Sequence, residues 1–244
     1  MTAPGSEPRP RDRDGAGPTG VAGDASLNVP LYPFLTAQHG DLDAVLAGVR
    51  RAAAERIDEI VALRRTVLER DADRLAACAR SMAASFTAGG RLLAFANGVS
   101  ATDAQELVRL FLCPRDARSE GVFRAMPAFA LTTDVAAVTP PSTGVGCDSV
   151  FSRQVAALGR ARDIAVGICT GGGSASLVRG FEAADRRGML TVAITGHDGG
   201  LMAELDSVDY LFVVPSPSPQ RVQEAQTTIC HALWELTLRE VGRG

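Results

Sequence analysis

The stretch "DIAVGICTGGGSASLVRGFEAADRRGMLTVAITG", residues 163–196, constrains the fold more than any other part of this 244-residue chain. The apolar run Ile164 to Ile168 reads as a short buried strand. Three glycines set among hydroxyls then break it, and Leu177, Val178 and Phe181 resume at helical spacing. Ser174 is placed to cap that helix, Gly188 ends it, and "MLTVAITG" supplies a second buried strand. A strand–helix–strand unit of this kind requires a parallel sheet covered on both faces. The glycine turn has two readings. It is a tight strand-to-helix turn, or it is a cradle whose backbone N–H groups and positive helix end receive a phosphate. Two phosphate loops are excluded. The chain contains no Lys, so it has no P-loop, and Ser176 stands where a dinucleotide fingerprint needs its last glycine.

The rest of the chain repeats the alternation. "RLLAFA", "MPAFALTT" and "YLFVVP" read as further strands. "DAQELVRLFL", "FSRQVAALG" and a long C-terminal segment, "PQRVQEAQTTICHALWELTLREV", read as helices. "ANGVSATD" after "LLAF" parallels "TGGGSASL" after "VGIC", so two helix N-termini converge on one place. Before the first strand, residues 29–90 read as two or three helices, the last from about Asp71 to Thr87. Their apolar stripe, which includes Val45, Val49, Ile57 and Val61, packs either on the sheet or on another subunit. Residues 1–28, rich in Pro, Gly and alternating charge, read as a disordered tail without the apolar core of a signal peptide. The α/β domain proper is residues 91–241.

Composition narrows the function classes. A net charge of −3 gives no electrostatic footprint for nucleic acid. No apolar segment approaches the ~20 residues that cross a bilayer. Five cysteines, an odd number without CxxC spacing, point away from a disulfide framework or structural zinc and toward the cytoplasm.

The runs "FTAGGRLLAFANGVSATDAQ", "TTDVAAV", "VFSRQVAALGRARDIAVGICTGGGSASLVRGFEAADRRGMLTVAITGHDGGLMAE" and "RVQEAQTTICH" resemble the phosphoheptose isomerases. These are SIS (sugar isomerase) domain proteins, and the resemblance covers about Asp41 to Val241. It implies a three-layer α/β/α sandwich with a parallel, flavodoxin-like sheet, preceded by N-terminal helices. It further implies a homo-oligomer, tetramer or dimer, with sites between subunits. The implied reaction is aldose–ketose isomerisation of sedoheptulose 7-phosphate or a related sugar phosphate, often with zinc.

Carried over position by position, the resemblance makes Asn97, Gly98, Ser100 and Asp103 one half of a phosphosugar site. Thr170, Gly171, Gly172, Ser174 and Gln223 make the other half. Val99 replaces a glycine of the family's first loop, and Gly171 and Gly173 replace a Ser and an Asn of its second. Ser100 with Asp103 also has the spacing of a helix capping box. His231 matches the family's catalytic His, but Leu110 stands at its catalytic Glu and Glu106 at its nearby His. Leu cannot move a proton, so the sequence leaves Glu106 as substitute base beside His231, or as a solvated helix residue. Glu106, Gln223 and His231 are the implied zinc ligands, a weak set because one is an amide. Gln220 replaces a family Asp, "TG" at 143 and 144 replaces Asn-Asp, and His197 in "TGHDGG" has no assigned role. The alternative to an active isomerase is a non-catalytic SIS module that binds a phosphosugar or a protein.

Overall fold

The computed structural model describes residues 42–114, 125–134 and 146–243. The expected tail of residues 1–28 and the Thr143–Gly144 departure lie outside the described residues. The chain divides into two compact units, Met1–Arg51 and Ala52–Gly244. The described part of the first unit is helical.

Where two or three helices were expected there is a single 46-residue helix, α1 (Leu42–Thr87). Between Val49 and Thr87 the sequence has neither Gly nor Pro, so nothing interrupts the hydrogen-bond ladder until Gly89 turns left-handed at φ 81°. Five strands follow: β1 (Leu92–Ala96), β2 (Ala128–Ala130), β3 (Ile164–Ile168), β4 (Leu190–Gly196) and β5 (Tyr210–Val214). Between them run α2 (Ser100–Leu112), α3 (Val150–Leu158) and α4 (Ala175–Asp185), and α5 (Pro219–Val241) closes the chain. All pairings are parallel, in the order β2-β1-β3-β4-β5.

Side-chain alternation divides the core in two. Leu92, Ala94, Ile164, Val166, Val192 and Phe212 face α1, α2 and α5. Leu93, Phe95, Ala165 and Ala193 face α3 and α4. This is the three-layer sandwich, and burial on both faces is why its strands are predominantly apolar. On the second face, a Cβ at Gly167 would lie 2.5 Å from the Phe181 ring, so only glycine admits the Phe95–Phe181 contact, centroids 5.1 Å apart. The exposed edge of β5 is blunted from α1: Arg70 donates to the Val213 carbonyl at 2.5 Å and Arg74 to the Leu211 carbonyl at 3.0 Å. Buried Asp71 orients both guanidiniums. No helix among the described residues is long and apolar enough to cross a membrane.

Candidate functional site

β1 leads to α2 on one face of the sheet and β3 leads to α4 on the other, so the loops after these neighbouring strands part and leave a crevice. Such a reversal point, at the C-terminal ends of strands, is where open α/β sheets bind ligands. The structure joins the two loops there. The Asn97 amide donates to Ser174 Oγ at 2.9 Å and to Ser176 Oγ at 2.8 Å, and the two hydroxyls are 3.1 Å apart. An amide carries two N–H donors, so both bonds form together. Ser174 therefore does not cap α4 with its side chain as expected: it holds the N-cap position with extended backbone, but its hydroxyl turns to Asn97.

The glycine run is explained by its backbone. Gly172 (φ 66°) and Gly173 (φ 108°) are left-handed. A Cβ on Gly172 would sit 3.0 Å from Gly200 Cα, and one on Gly173 2.6 Å from the Met202 methyl. Gly171 has neither constraint: its φ is ordinary and a Cβ there meets nothing within 4 Å. These three glycines, with His197, Asp198, Gly200 and Leu201, line an open cleft of about 370 Å³. Thr170 is half-buried beside them, and Asn97 and Gly98 are exposed.

On the other side of the crevice α2 packs against α5. The helix starts at Ser100 with Val99 as its N-cap, and no side chain caps it, so the capping box suggested by Ser100 and Asp103 is not formed. The reason is a competing partner: Thr227 on α5 donates to Asp103 Oδ1 at 3.1 Å. Burial pushes the Asp103 carboxyl above its ordinary range, with the Thr227 hydroxyl and the Gln223 amide pulling it back. Its Oδ2 makes no hydrogen bond of good geometry. Gln223 donates to the Val99 carbonyl at 3.3 Å and to Thr102 Oγ1 at 3.4 Å, tying α5 to the first loop.

The acid–base positions are less intact. Leu110 is buried in the core among α2 side chains and offers no proton acceptor. Glu106, one turn earlier, is gripped by Arg109, whose Nε and Nη2 donate to its two oxygens at 2.6 and 2.5 Å. That bond holds the Glu106 carboxyl below its ordinary range, with His231 adding in the same direction across the α2–α5 contact. A carboxylate so stabilised is a weaker base. His231 is half-buried and edge-on to Trp234, with centroids 6.3 Å apart. Glu106, Gln223 and His231 offer one carboxylate, one amide oxygen and one imidazole, a weak donor set for zinc. Both Glu106 oxygens accept from Arg109, the Gln223 amide nitrogen donates to the first loop, and no three His, Cys, Asp or Glu cluster for a metal among the described residues.

Three residues of the site escaped the sequence reading. Ser176 completes the Asn97 bridge, Thr227 holds Asp103, and Gln226, fully buried, donates to the Cys169 carbonyl at 2.6 Å to fix the start of the glycine run. Gln226 and Thr227 carried a signal: they follow Gln223 by three and four residues, a polar stripe on a helix otherwise apolar toward the sheet.

Comparison with known proteins agrees with this architecture. Residues 56–196 match the family described as SIS domain. A protein named phosphoheptose isomerase from Roseiflexus sp. (strain RS-1) is 40% identical over 186 residues, 75% of this chain and 91% of that one. One of the same name from Desulfovibrio desulfuricans is 42% identical over 200 residues, 80% of this chain and 87% of the relative. Among solved structures, the phosphoheptose isomerase of Neisseria gonorrhoeae superposes with a TM-score of 0.68 at 33% identity, covering 77% of this chain and 97% of that one. That of Francisella tularensis gives 0.64 at 27% identity, covering 77% and 98%.

Proposed function

The chain belongs to the SIS-domain family as a protein of the phosphoheptose isomerase type, and on that premise we propose that it binds sedoheptulose 7-phosphate or a related sugar phosphate in the crevice between its two loops. The observation that carries this reading is the Asn97–Ser174–Ser176 bridge, which locks both loops into one cradle at the ends of β1 and β3. Ser100, Thr170 and the backbone of 171–174 surround the phosphate, and Asp103 and Gln223 face the sugar. Binding outlasts catalysis in this chain. Isomerisation needs a base at the C2 proton and an acid at the carbonyl oxygen, and losing one such group costs ~10²–10⁴-fold in rate.

A second reading is favoured by the packing of α2 on α5, the helices that carry Glu106 and His231. In that reading Glu106 is a relocated base, His231 is the acid, and turnover is slow because Arg109 lowers the basicity of Glu106. We place the protein in the cytoplasm, on its five unpaired cysteines. We also assign it a homo-oligomeric state, on the exposed Leu42, Val45, Val49 and Ile57 of α1.

One experiment separates the readings. Proton NMR of sedoheptulose 7-phosphate in D₂O is followed on adding the protein, with and without zinc. The sugar resonances broaden, Ser174→Ala weakens binding about tenfold by removing one hydrogen-bonded anchor, and zinc changes neither result. Undiminished binding by Ser174→Ala would refute the cradle. Deuterium entry at C1 of the ketose or at C2 of an aldose product, lost in both Glu106→Gln and His231→Ala, would establish the second reading.

A further inference from the structure

His197 stands where the turn after β4 meets the glycine run. Among the described residues it is the one non-glycine residue with a left-handed backbone, φ 56°. Backbone held in so unfavourable a conformation is concentrated at ligand sites, where the surrounding structure fixes it. Here the turn is tied at several points. Gly199 N–H donates to the Gly196 carbonyl at 3.0 Å, Gly200 N–H to Asp198 Oδ1 at 3.0 Å, and Met202 N–H to the Gly172 carbonyl at 3.2 Å. Gly200 and Gly172 pack backbone to backbone, since a Cβ on Gly200 would lie 2.8 Å from Gly172 Cα. The turn and the glycine run are therefore one rigid piece.

That piece presents an exposed imidazole on the wall of the 370 Å³ cleft whose floor is Gly171–Gly173. The same residue borders a second cleft of about 350 Å³ against Pro215, Ser216 and Pro217. Among the described residues no arginine lines either cleft, and the other charged lining group, Asp198, has Oδ1 engaged by the Gly200 N–H. The imidazole is thus the group able to present a positive charge over the glycines. We propose that His197 is a phosphate-binding residue of this site, its ring N–H donating to a phosphate oxygen held above Gly171–Gly173. In this role it supplies the contact that a hydroxyl at 171 and an amide at 173 would otherwise make. The inference rests on the phosphosugar reading above and adds to it the residue that selects a phosphate monoester over a neutral sugar.

The test uses the full-length protein, titrated calorimetrically with inorganic phosphate and with sedoheptulose 7-phosphate. His197→Gly removes the ring while suiting the left-handed backbone. It is expected to weaken both ligands about tenfold, the worth of one charge-assisted hydrogen bond. In the wild type, the ring resonances of His197 shift with both ligands and not with unphosphorylated sedoheptulose. With three histidines in the chain, those resonances are assignable by substitution. Ser174→Ala is the control for the cradle itself. If Ser174→Ala loses affinity while His197→Gly keeps it, the His197 assignment is overturned and the cradle stands. Loss of affinity in His197→Gly without a ring shift in the wild type also overturns it, because the effect is then one of loop shape. If the wild type binds neither ligand, both readings fall together.

Discussion

Asp163 and Asp103 are both buried aspartates at the margins of the same sheet, and their surroundings are opposite. Asp163, at the N-terminal end of β3, accepts from Arg91 N–H at 2.9 Å, from its Nη2 at 2.6 Å and from Arg160 N–H at 3.1 Å. Beside it Asp209 takes the Thr191 N–H and hydroxyl at 2.8 and 2.9 Å, and Thr191 Oγ1 accepts the Asp209 N–H in return. At the C-terminal end, Asp103 has one hydrogen bond and an unmet Oδ2, and Gln226 Oε1 is likewise buried without a partner. Buried polar groups are normally satisfied, and those that are not cluster where a ligand or strain is expected. At one end of this sheet the Asp163 and Asp209 carboxylates are well supplied with donors and hold the fold. The other end is left under-satisfied around the crevice.

The largest expected effect comes from breaking the well-supplied end. Asp163→Asn sets an NH₂ against donors already aimed at a carboxylate and leaves Arg91 without its counter-ion. It is expected to cost about 3 kcal/mol, the usual penalty for breaking a buried pair, read as a lower midpoint in urea with unchanged slope. The folded fraction should bind sugar phosphate as the wild type does. A loss of less than ~0.5 kcal/mol, the range of ordinary surface substitutions, would mean that this end is no more critical than the surface.

The same change at the ligand end should act in reverse. The Asp103 carboxyl titrates above its unfolded range because burial penalises its charge. Its contribution to stability is therefore fully present below the unfolded carboxylate range and is lost as pH rises through the folded value. At pH 7 Asp103→Asn removes that buried charge and is expected to stabilise by about 1 kcal/mol, the cost of one unsatisfied buried acceptor. The gain should disappear in acid, and affinity for sugar phosphate should fall at neutral pH. Thermal melts at pH 7 and pH 3 decide the sign. Destabilisation at pH 7 would show that Asp103 is a structural residue like Asp163.

The contrast between the ends also marks what the sequence could disclose. Strands β3 and β4 were legible because parallel strands buried on both faces are predominantly apolar, β4 admitting only Thr191 and Thr195 as polar residues. The two loops were legible as strand-to-helix turns because glycines beside hydroxyls interrupt the apolar runs. The continuity of α1 was missed because polar clusters such as "ERDAD" imitate a break, although no glycine or proline makes one. Within the site, the types of residue were readable and their partners were not. Ser174 chose Asn97, 77 residues away, over its own helix, and Asp103 chose Thr227, 124 residues away, over Ser100. Local capping rules lose to tertiary contacts when both compete for one oxygen. The Glu106–Arg109 grip is the exception, since an i,i+3 pair on a helix is visible in the spacing itself.

The smallest effect on stability, and the sharpest on the comparison, belongs to Gly171. Gly172 and Gly173 are required by left-handed backbone and close packing, whereas Gly171 meets nothing within 4 Å and has an ordinary φ. Gly171→Ser should therefore change stability by less than ~0.5 kcal/mol, as an exposed substitution without strain does. It returns a hydroxyl to the floor of the cleft, so affinity for sedoheptulose 7-phosphate should rise several-fold, the worth of one added neutral hydrogen bond. Gly172→Ser, which forces a side chain against the Gly200 backbone at 3.0 Å, should instead lower both stability and affinity. Calorimetric titration of the two variants side by side checks this. If Gly171→Ser binds no better than the wild type, the cradle is not limited by its missing hydroxyl, and the phosphate sits away from residue 171.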